Sequence, residues 1–217
     1  MEYTQQQIAS VLDFAVLKPT ANRADVAEAC ILARFNKFAS VCVRPCDVKL
    51  ACEFGVPVST VIGFPFGTHT IEVKKKEAHQ ALLDNAKELD IVLNFARLRE
   101  NDYTYIETEL RRILINLAPT NLKIILETCY LTPDQIYKAC KIIRQYPSVN
   151  FIKTSTGFGT CGATCSAIEI IKEGIRGSKL QIKASGGIKN YQDVKTFLDL
   201  GCTRLGVSKW FDLLPGV

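Results

Sequence analysis

Asn150-Phe151-Ile152-Lys153-Thr154-Ser155-Thr156-Gly157-Phe158-Gly159 is the stretch from which the rest of the chain can be ordered. It follows a turn signal at Pro147-Ser148, opens with residues that favour a pleated backbone, and runs out into small hydroxyl residues and glycines. One charge, Lys153, stands inside the apolar part. Lysine is rarely buried without a partner, and a desolvated ammonium gives up its proton readily. At the C-terminal end of a buried strand it is a candidate nucleophilic amine. The competing reading is an edge-strand lysine pointing into water.

The same alternation recurs along the chain. Apolar runs at 12–17, 39–43, 57–62, 89–94, 122–127, 180–184 and 203–207 read as strands, with the opening stretch as the sixth of eight. A short helix at 5–11 precedes them. Helical patterns at 22–34, 47–53, 70–87, 103–117, from 132 onward, and at 163–173, 190–200 and 210–214 separate and follow them. Thr132-Pro133-Asp134 supplies a cap and a proline at the first helical position. Pro119 and Gly201 read as helix stops. Apolar runs buried on both faces suit a parallel sheet. A βα unit repeated eight times predicts the α/β class and a closed (β/α)8 TIM barrel, one domain across 1–217. The alternative is a doubly wound open sheet.

Composition narrows the function. At 217 residues and 47% hydrophobic the chain can bury a large core, and 23% charged residues argue against disorder. The net charge of +5 favours an anionic small molecule, but no Lys/Arg block marks a nucleic-acid surface. Lys74-Lys75-Lys76 reads as a solvated helix face. Neither a signal peptide nor a run of membrane-spanning length is visible, so no membrane role and a cytoplasmic location are expected. The nine cysteines include no CxxC pair, the closest spacings being Cys42 to Cys46 and Cys161 to Cys165. They read as reduced, buried small hydrophobes. No metal site is expected, and two histidines cannot hold zinc in a three-histidine set.

In a barrel the chemistry sits at the C-terminal strand ends and in the loops beyond them. Those ends offer Asp13, Asp90, Glu127, Lys153 and Lys183. Strands six and seven are neighbours, and Lys153 and Lys183 hold equivalent places on them. Two ammonium groups that close cannot both stay charged without cost, so one pKa must fall. The neutral amine can attack an aldehyde or ketone and form a Schiff base. Asp90, on the far wall, is the partner for proton transfer, directly or through a water. Asp13 and Glu127 read more simply as carboxylates that pair with a lysine or cap a loop. Gly157, Gly186, Gly187, Gly206 and Ser208 follow strands six to eight, where this fold commonly holds phosphate, with Lys209 placed to add charge beside the last helix. Gly157-Phe158-Gly159-Thr160-Cys161-Gly162 also matches the dinucleotide pattern G-x-G-x-x-G. It follows the sixth strand, however, and the next strand carries no acidic residue for a ribose hydroxyl.

In these residues the chain resembles the deoxyribose-phosphate aldolases. The resemblance rests on 40–43, 61–67, 89–94 and 125–129, and above all on Phe151-Ile152-Lys153-Thr154-Ser155-Thr156-Gly157-Phe158 with Ile182-Lys183-Ala184-Ser185-Gly186-Gly187-Ile188. It implies a class I aldolase that splits 2-deoxy-D-ribose 5-phosphate reversibly into D-glyceraldehyde 3-phosphate and acetaldehyde. It further implies Lys153 as the Schiff-base lysine, Lys183 as the group that lowers its pKa, and Asp90 as proton donor and acceptor. Phosphate contacts fall on Gly157, Gly186, Gly187, Gly206 and Ser208. Neither metal nor organic cofactor is implied, and a homo-oligomer is. The chain departs from the pattern at Phe14-Ala15, where the family usually has polar residues, and at Arg44 and Lys209. These changes bear on substrate preference and rate, and leave open a barrel that binds sugar phosphates without turnover. An oxidoreductase using the 157–162 loop is the reading from another class.

Overall fold

Alternation along the strands decides how the chain closes. In β4 (Glu88–Val92), Leu89 and Ile91 join the main hydrophobic core, while Glu88 and Asp90 point the other way into an ionic cluster. In β5 (Asn121–Ile125), Leu122 and Ile124 face the core and Lys123 faces the cluster. One face of each strand therefore packs on helices and the other on its counterparts across a ring. In the computed structural model, which describes residues 2–118 and 120–213, the remaining strands are β1 (Leu12–Val16), β2 (Ser40–Val43), β3 (Val58–Ile62), β6 (Val149–Lys153), β7 (Gln181–Ser185) and β8 (Arg204–Val207). All pair in parallel in chain order, and β8 returns to β1 through Leu12 opposite Leu205. That closure is the expected (β/α)8 barrel and rules out the open sheet.

The helices coat the ring: α1 (Gln5–Ala9), α2 (Arg23–Asn36), α3 (Val48–Cys52), α4 (Ile71–Leu83), α5 (Phe95–Arg99), α6 (Tyr103–Leu114), α7 (Pro133–Ile143), α8 (Cys165–Gly174) and α9 (Tyr191–Asp199). Their starts are fixed locally. Thr4, Asn22 and Thr132 each complete a capping box, joining two otherwise unpaired N–H groups to side chains.

Some expectations need correction. The helix α5 was not anticipated; it is a single turn started by Asn94, whose side chain accepts from the Arg97 N–H. The helix expected over 70–87 ends at Leu83, because the chain turns through Asn85 at φ 75°. The one expected over 103–117 ends at Leu114, and Asn116 turns at φ 58°; Pro119 lies outside the described residues. After β8 there is a 3-10 turn, Phe211–Leu213, in place of the helix expected over 210–214, and Leu214 lies outside the described residues.

Lys74 is not on a solvated face. It is fully buried, donates to Glu109 at 2.6 Å and to the Val92 carbonyl at 2.7 Å, and fits because Gly63 has no Cβ; one there would lie 2.6 Å from the Lys74 Cε. All nine cysteines are free, but the expectation that they are buried fails for Cys46, Cys161 and Cys165, which sit in a turn, a loop and the first residue of a helix.

Candidate active site

Register brings the two lysines together. Lys153 is the last residue of β6 and pairs with Lys183 in β7. Both are almost fully buried, and both donate to the same oxygen, Asp90 Oδ2, at 2.8 Å. Asp90 therefore touches both lysines directly, one of the two arrangements the sequence left open, and does not stand apart on a far wall. The ring is narrow enough for β4 and β6 to meet across β5.

Below this pair lies an ionic layer that the sequence reading missed. Lys123 donates to Asp90 Oδ1 at 2.7 Å and to Glu88 at 2.5 Å. Arg204 reaches Asp13 at 2.5 Å and Glu88 at 3.0 Å, and its guanidinium lies over the Phe151 ring. Asp13 also accepts from Lys183, and from Ser40 at 2.8 Å. The available signal was parity: Glu88 and Asp90 are two apart, and Lys123 stands alone in an apolar run, so all three face inward.

The cluster holds four cations, Lys123, Lys153, Lys183 and Arg204, against three carboxylates, Asp13, Glu88 and Asp90. One positive charge is in excess, and the lysine with fewest acidic partners should give up its proton. Lys153 touches only Asp90. Desolvation pushes its amine below the ordinary lysine value; Asp90 opposes the shift and Lys183 reinforces it. Burial acts on Lys183 in the same sense, but Asp13 and Asp90 overcome it and hold its ammonium above the usual range. Burial would raise Asp90, yet Lys123, Lys153 and Lys183 hold it well below the carboxylate range.

Above the lysines opens a cavity of ≈ 770 Å³. Lys153, Lys183, Cys42 and Thr156 line its inner part, and Gly157, Gly186, Gly187, Gly206 and Ser208 its rim. Every expected site residue thus gathers here except Asp90, which lies beneath the lysines and does not reach the cavity wall. Gly186 and Gly187 both have φ near +80°, which L side chains resist, and their bare backbone faces the opening. Gly206 has a second duty: a Cβ there would meet Lys183 Cε at 3.2 Å and Ser185 Cβ at 2.8 Å. Among the described residues a single 3-10 turn, beginning at Phe211, follows Ser208 in place of the expected helix. Lys209 is exposed and does not line the cavity.

Other expected residues are placed as follows. Glu127 caps a loop: it sits at φ 56°, and its carboxylate accepts from the Thr156 N–H and hydroxyl. Asp13 pairs with cations. Phe14 and Ala15 both line the cavity, Ala15 beside Cys42 and Phe14 edge-on against Phe38, which in turn packs on Trp210. Arg44 turns away to Asp47 at 2.6 Å. The G-x-G-x-x-G loop serves packing. A Cβ on Gly162 would lie 2.1 Å from the Gly186 carbonyl oxygen, and the Ala163 N–H donates to Ser185 and Gly186. Its glycines let two loops touch, which removes the basis for the dinucleotide reading. Among the described residues no group of three or more His, Cys, Asp or Glu is placed to hold a metal ion, and no helix is long and apolar enough to cross a membrane.

Comparison with known proteins agrees with this geometry. Residues 6–202 match the model of the DeoC/LacD family aldolases. The chain belongs to that family. A deoxyribose-phosphate aldolase of Caldanaerobacter subterraneus subsp. tengcongensis is 39% identical over 214 residues, covering 95% of this chain and 92% of the relative. Among solved structures, an aldolase called QR15 superposes with a TM-score of 0.87 at 36% identity, covering 93% of this chain and 91% of the other. The tetrameric deoxyribose phosphate aldolase of Aeropyrum pernix superposes with a TM-score of 0.85 at 26% identity, covering 97% and 90%. As a DeoC/LacD aldolase, the chain has its lysine pair inside a family-typical barrel.

Proposed function

We propose that the protein cleaves 2-deoxy-D-ribose 5-phosphate reversibly to D-glyceraldehyde 3-phosphate and acetaldehyde, with Lys153 as the Schiff-base lysine. The observation that carries this reading is the unequal pair: one buried amine biased toward its neutral form and open to the cavity, beside a lysine held charged. Lys153 Nζ attacks C1 of the open-chain sugar; water leaves and an iminium forms. A base removes the proton of the C3 hydroxyl, the C2–C3 bond breaks, and its electrons pass into the iminium as an enamine. Glyceraldehyde 3-phosphate departs; the enamine takes a proton at C2, and hydrolysis releases acetaldehyde.

The electrostatics divide the proton work. Asp90, held as a carboxylate beneath the cavity, gives and takes protons through the two lysines it links and not by touching substrate, and Lys183 carries the proton to be given. On the rim, Gly157, Gly186, Gly187, Gly206 and Ser208 would take the phosphate through backbone N–H groups and the Ser208 hydroxyl. The chemistry as written needs neither metal nor organic cofactor. We read 1–217 as one barrel domain. Its nine unpaired thiols suit a reducing cytoplasm. Ile31 and Phe35, exposed on one face of α2, suit a homo-oligomer like the Aeropyrum tetramer.

Borohydride reduction in the presence of acetaldehyde, followed by peptide mapping, tests the reading. An ethyl group on Lys153, with turnover of the sugar phosphate, is expected; label on another lysine or none removes the assignment. The nonpolar Phe14-Ala15 pair favours one second reading, a binder without turnover, which would give the adduct and no cleavage.

A further inference from the structure

Cys129 and Cys161 stand outside the lysine cluster, and the reaction described above uses neither. Cys129 lies in the 3-10 turn Thr128–Tyr130 after β5, and Cys161 in the irregular connection between β6 and α8. They line the same small cavity, ≈ 220 Å³, and are close enough for the Cys129 thiol to act on that of Cys161 electrostatically. Both are free; Cys161 is exposed and Cys129 half-buried. The loop lies directly on Cys129, for a Cβ on Gly159 would sit 2.7 Å from its Sγ. On the other side the Cys129 thiol donates to Glu127 Oε1 at 3.8 Å, and the same carboxylate holds the Thr156 N–H at 3.2 Å from Oε2. Thr156 lines the lysine cavity.

We propose that Cys129 and Cys161 form a site of reversible oxidation, closing a disulfide that fastens the turn after β5 to the β6–α8 loop beside Gly157. Hydrogen peroxide is a sufficient oxidant. The Cys161 thiolate attacks one peroxide oxygen, the O–O bond breaks, and hydroxide leaves and takes up a proton as water. Cys129 sulfur then attacks the resulting sulfenic sulfur, the S–O bond breaks, and a second water leaves with the Cys129 proton. Two thiols and one peroxide become one disulfide and two waters. Only Cys161 is exposed, so it reacts first. The slight burial it has, with Cys129 and Glu127 nearby, holds its thiol above the ordinary value, so the reaction should accelerate as pH rises toward and through the ordinary thiol range. The segment from Gly157 to Cys161 has no helix or strand of its own, while Gly162 and Ala163 beyond it are held on Ser185 and Gly186, so closure has to come from the part before Gly162. Closure removes the thiol donor to Glu127 and pins the loop that carries Gly157.

The test is peroxide treatment of the full chain, alkylation, and peptide mapping without reduction. A linked peptide joining Cys129 to Cys161 is expected, with alkylatable thiols falling from nine to seven and recovering in dithiothreitol. Cys161→Ser and Cys129→Ser should each lack the link, while Cys165→Ser should keep it. A link from Cys161 to Cys165 instead, no link at all, or oxidation ending as sulfinic acid on Cys161 would overturn the proposal. The kinetic consequence rests on the aldolase reading: on oxidation KM for the sugar phosphate should change by about threefold or more in the parent and not in Cys161→Ser. A link that leaves KM unchanged overturns the coupling to the loop. Because the link is read by mass, its absence and a lack of aldolase activity are separate results.

Discussion

At the scale of single residues, the site depends on which of several interior lysines is left with one acidic neighbour. Lys153 holds a folded pKa below its ordinary value, so the folded chain holds that proton less tightly than the unfolded chain does. Such a group costs stability at every pH below its unfolded value. Lys153→Met should therefore abolish cleavage while leaving the thermal midpoint at pH 7 equal to or above that of the parent, since Asp90 keeps Lys123 and Lys183. A clearly lower midpoint would mean that the amine is charged and stabilising. Lys183→Leu removes a positive neighbour, so the Lys153 pKa rises and the acid limb of the kcat/KM profile should move to higher pH. An unmoved limb would show that burial alone sets the amine. The same change leaves Asp13 and Asp90 short of a partner, at about 3–5 kcal/mol by analogy with broken buried pairs, so folding must be checked at each pH. Lys153 and Lys183 were legible in the sequence because each interrupts an apolar strand, though only Lys153 proves to be the last residue of its strand and Lys183 stands in the middle. Lys123 interrupts one too, but nothing in its own run says that three carboxylates, Asp13, Glu88 and Asp90, await it.

The elements show the same division. Caps at Thr4, Asn22 and Thr132 act over three residues and could be read directly. The single turn of α5 could not, because one turn with no long periodicity gives little local signal. Lys74 was misread for a physical reason: within α4 it sits in a lysine run, and only the packing of α4 on α6 delivers Glu109 to it. Lys74→Met, close to it in volume, should leave Glu109 buried with only the Asn94 N–H and cost about 3–5 kcal/mol in denaturant unfolding. A loss below about 1 kcal/mol, typical of exposed pairs, would show that water reaches the pair. The dinucleotide-like loop is a further case. Its glycine spacing is genuine, but the close approach it permits is to Gly186 and not to a cofactor.

For the whole molecule, the interior of the barrel is a charge lattice, and its pH dependence follows from sign. The folded pKa values of Asp13 and Asp90 are depressed. Their contribution is fully present above the ordinary carboxylate value, about 4, and is lost as pH falls through the folded values. Lys123 and Lys183 are raised; their contribution is present below the ordinary lysine value and is lost only above it. The midpoint of thermal unfolding should thus change little from pH 5 to 8 through these groups and drop steeply below about pH 4. A flat profile down to pH 3 would mean that the cluster adds nothing net.

Strand order, the parallel barrel, the matched lysines and the glycine-bearing rim follow from alternation, caps and turn residues, which act over a few positions. Those features the sequence determined by itself. Which lysine loses its proton was decided only by closure. Desolvation and Coulomb attraction depend on distances between groups such as Lys123 and Glu88, 35 residues apart in the chain, or Lys183 and Asp90, 93 apart. The curvature of a closed ring sets those distances, and no local run of residues encodes it.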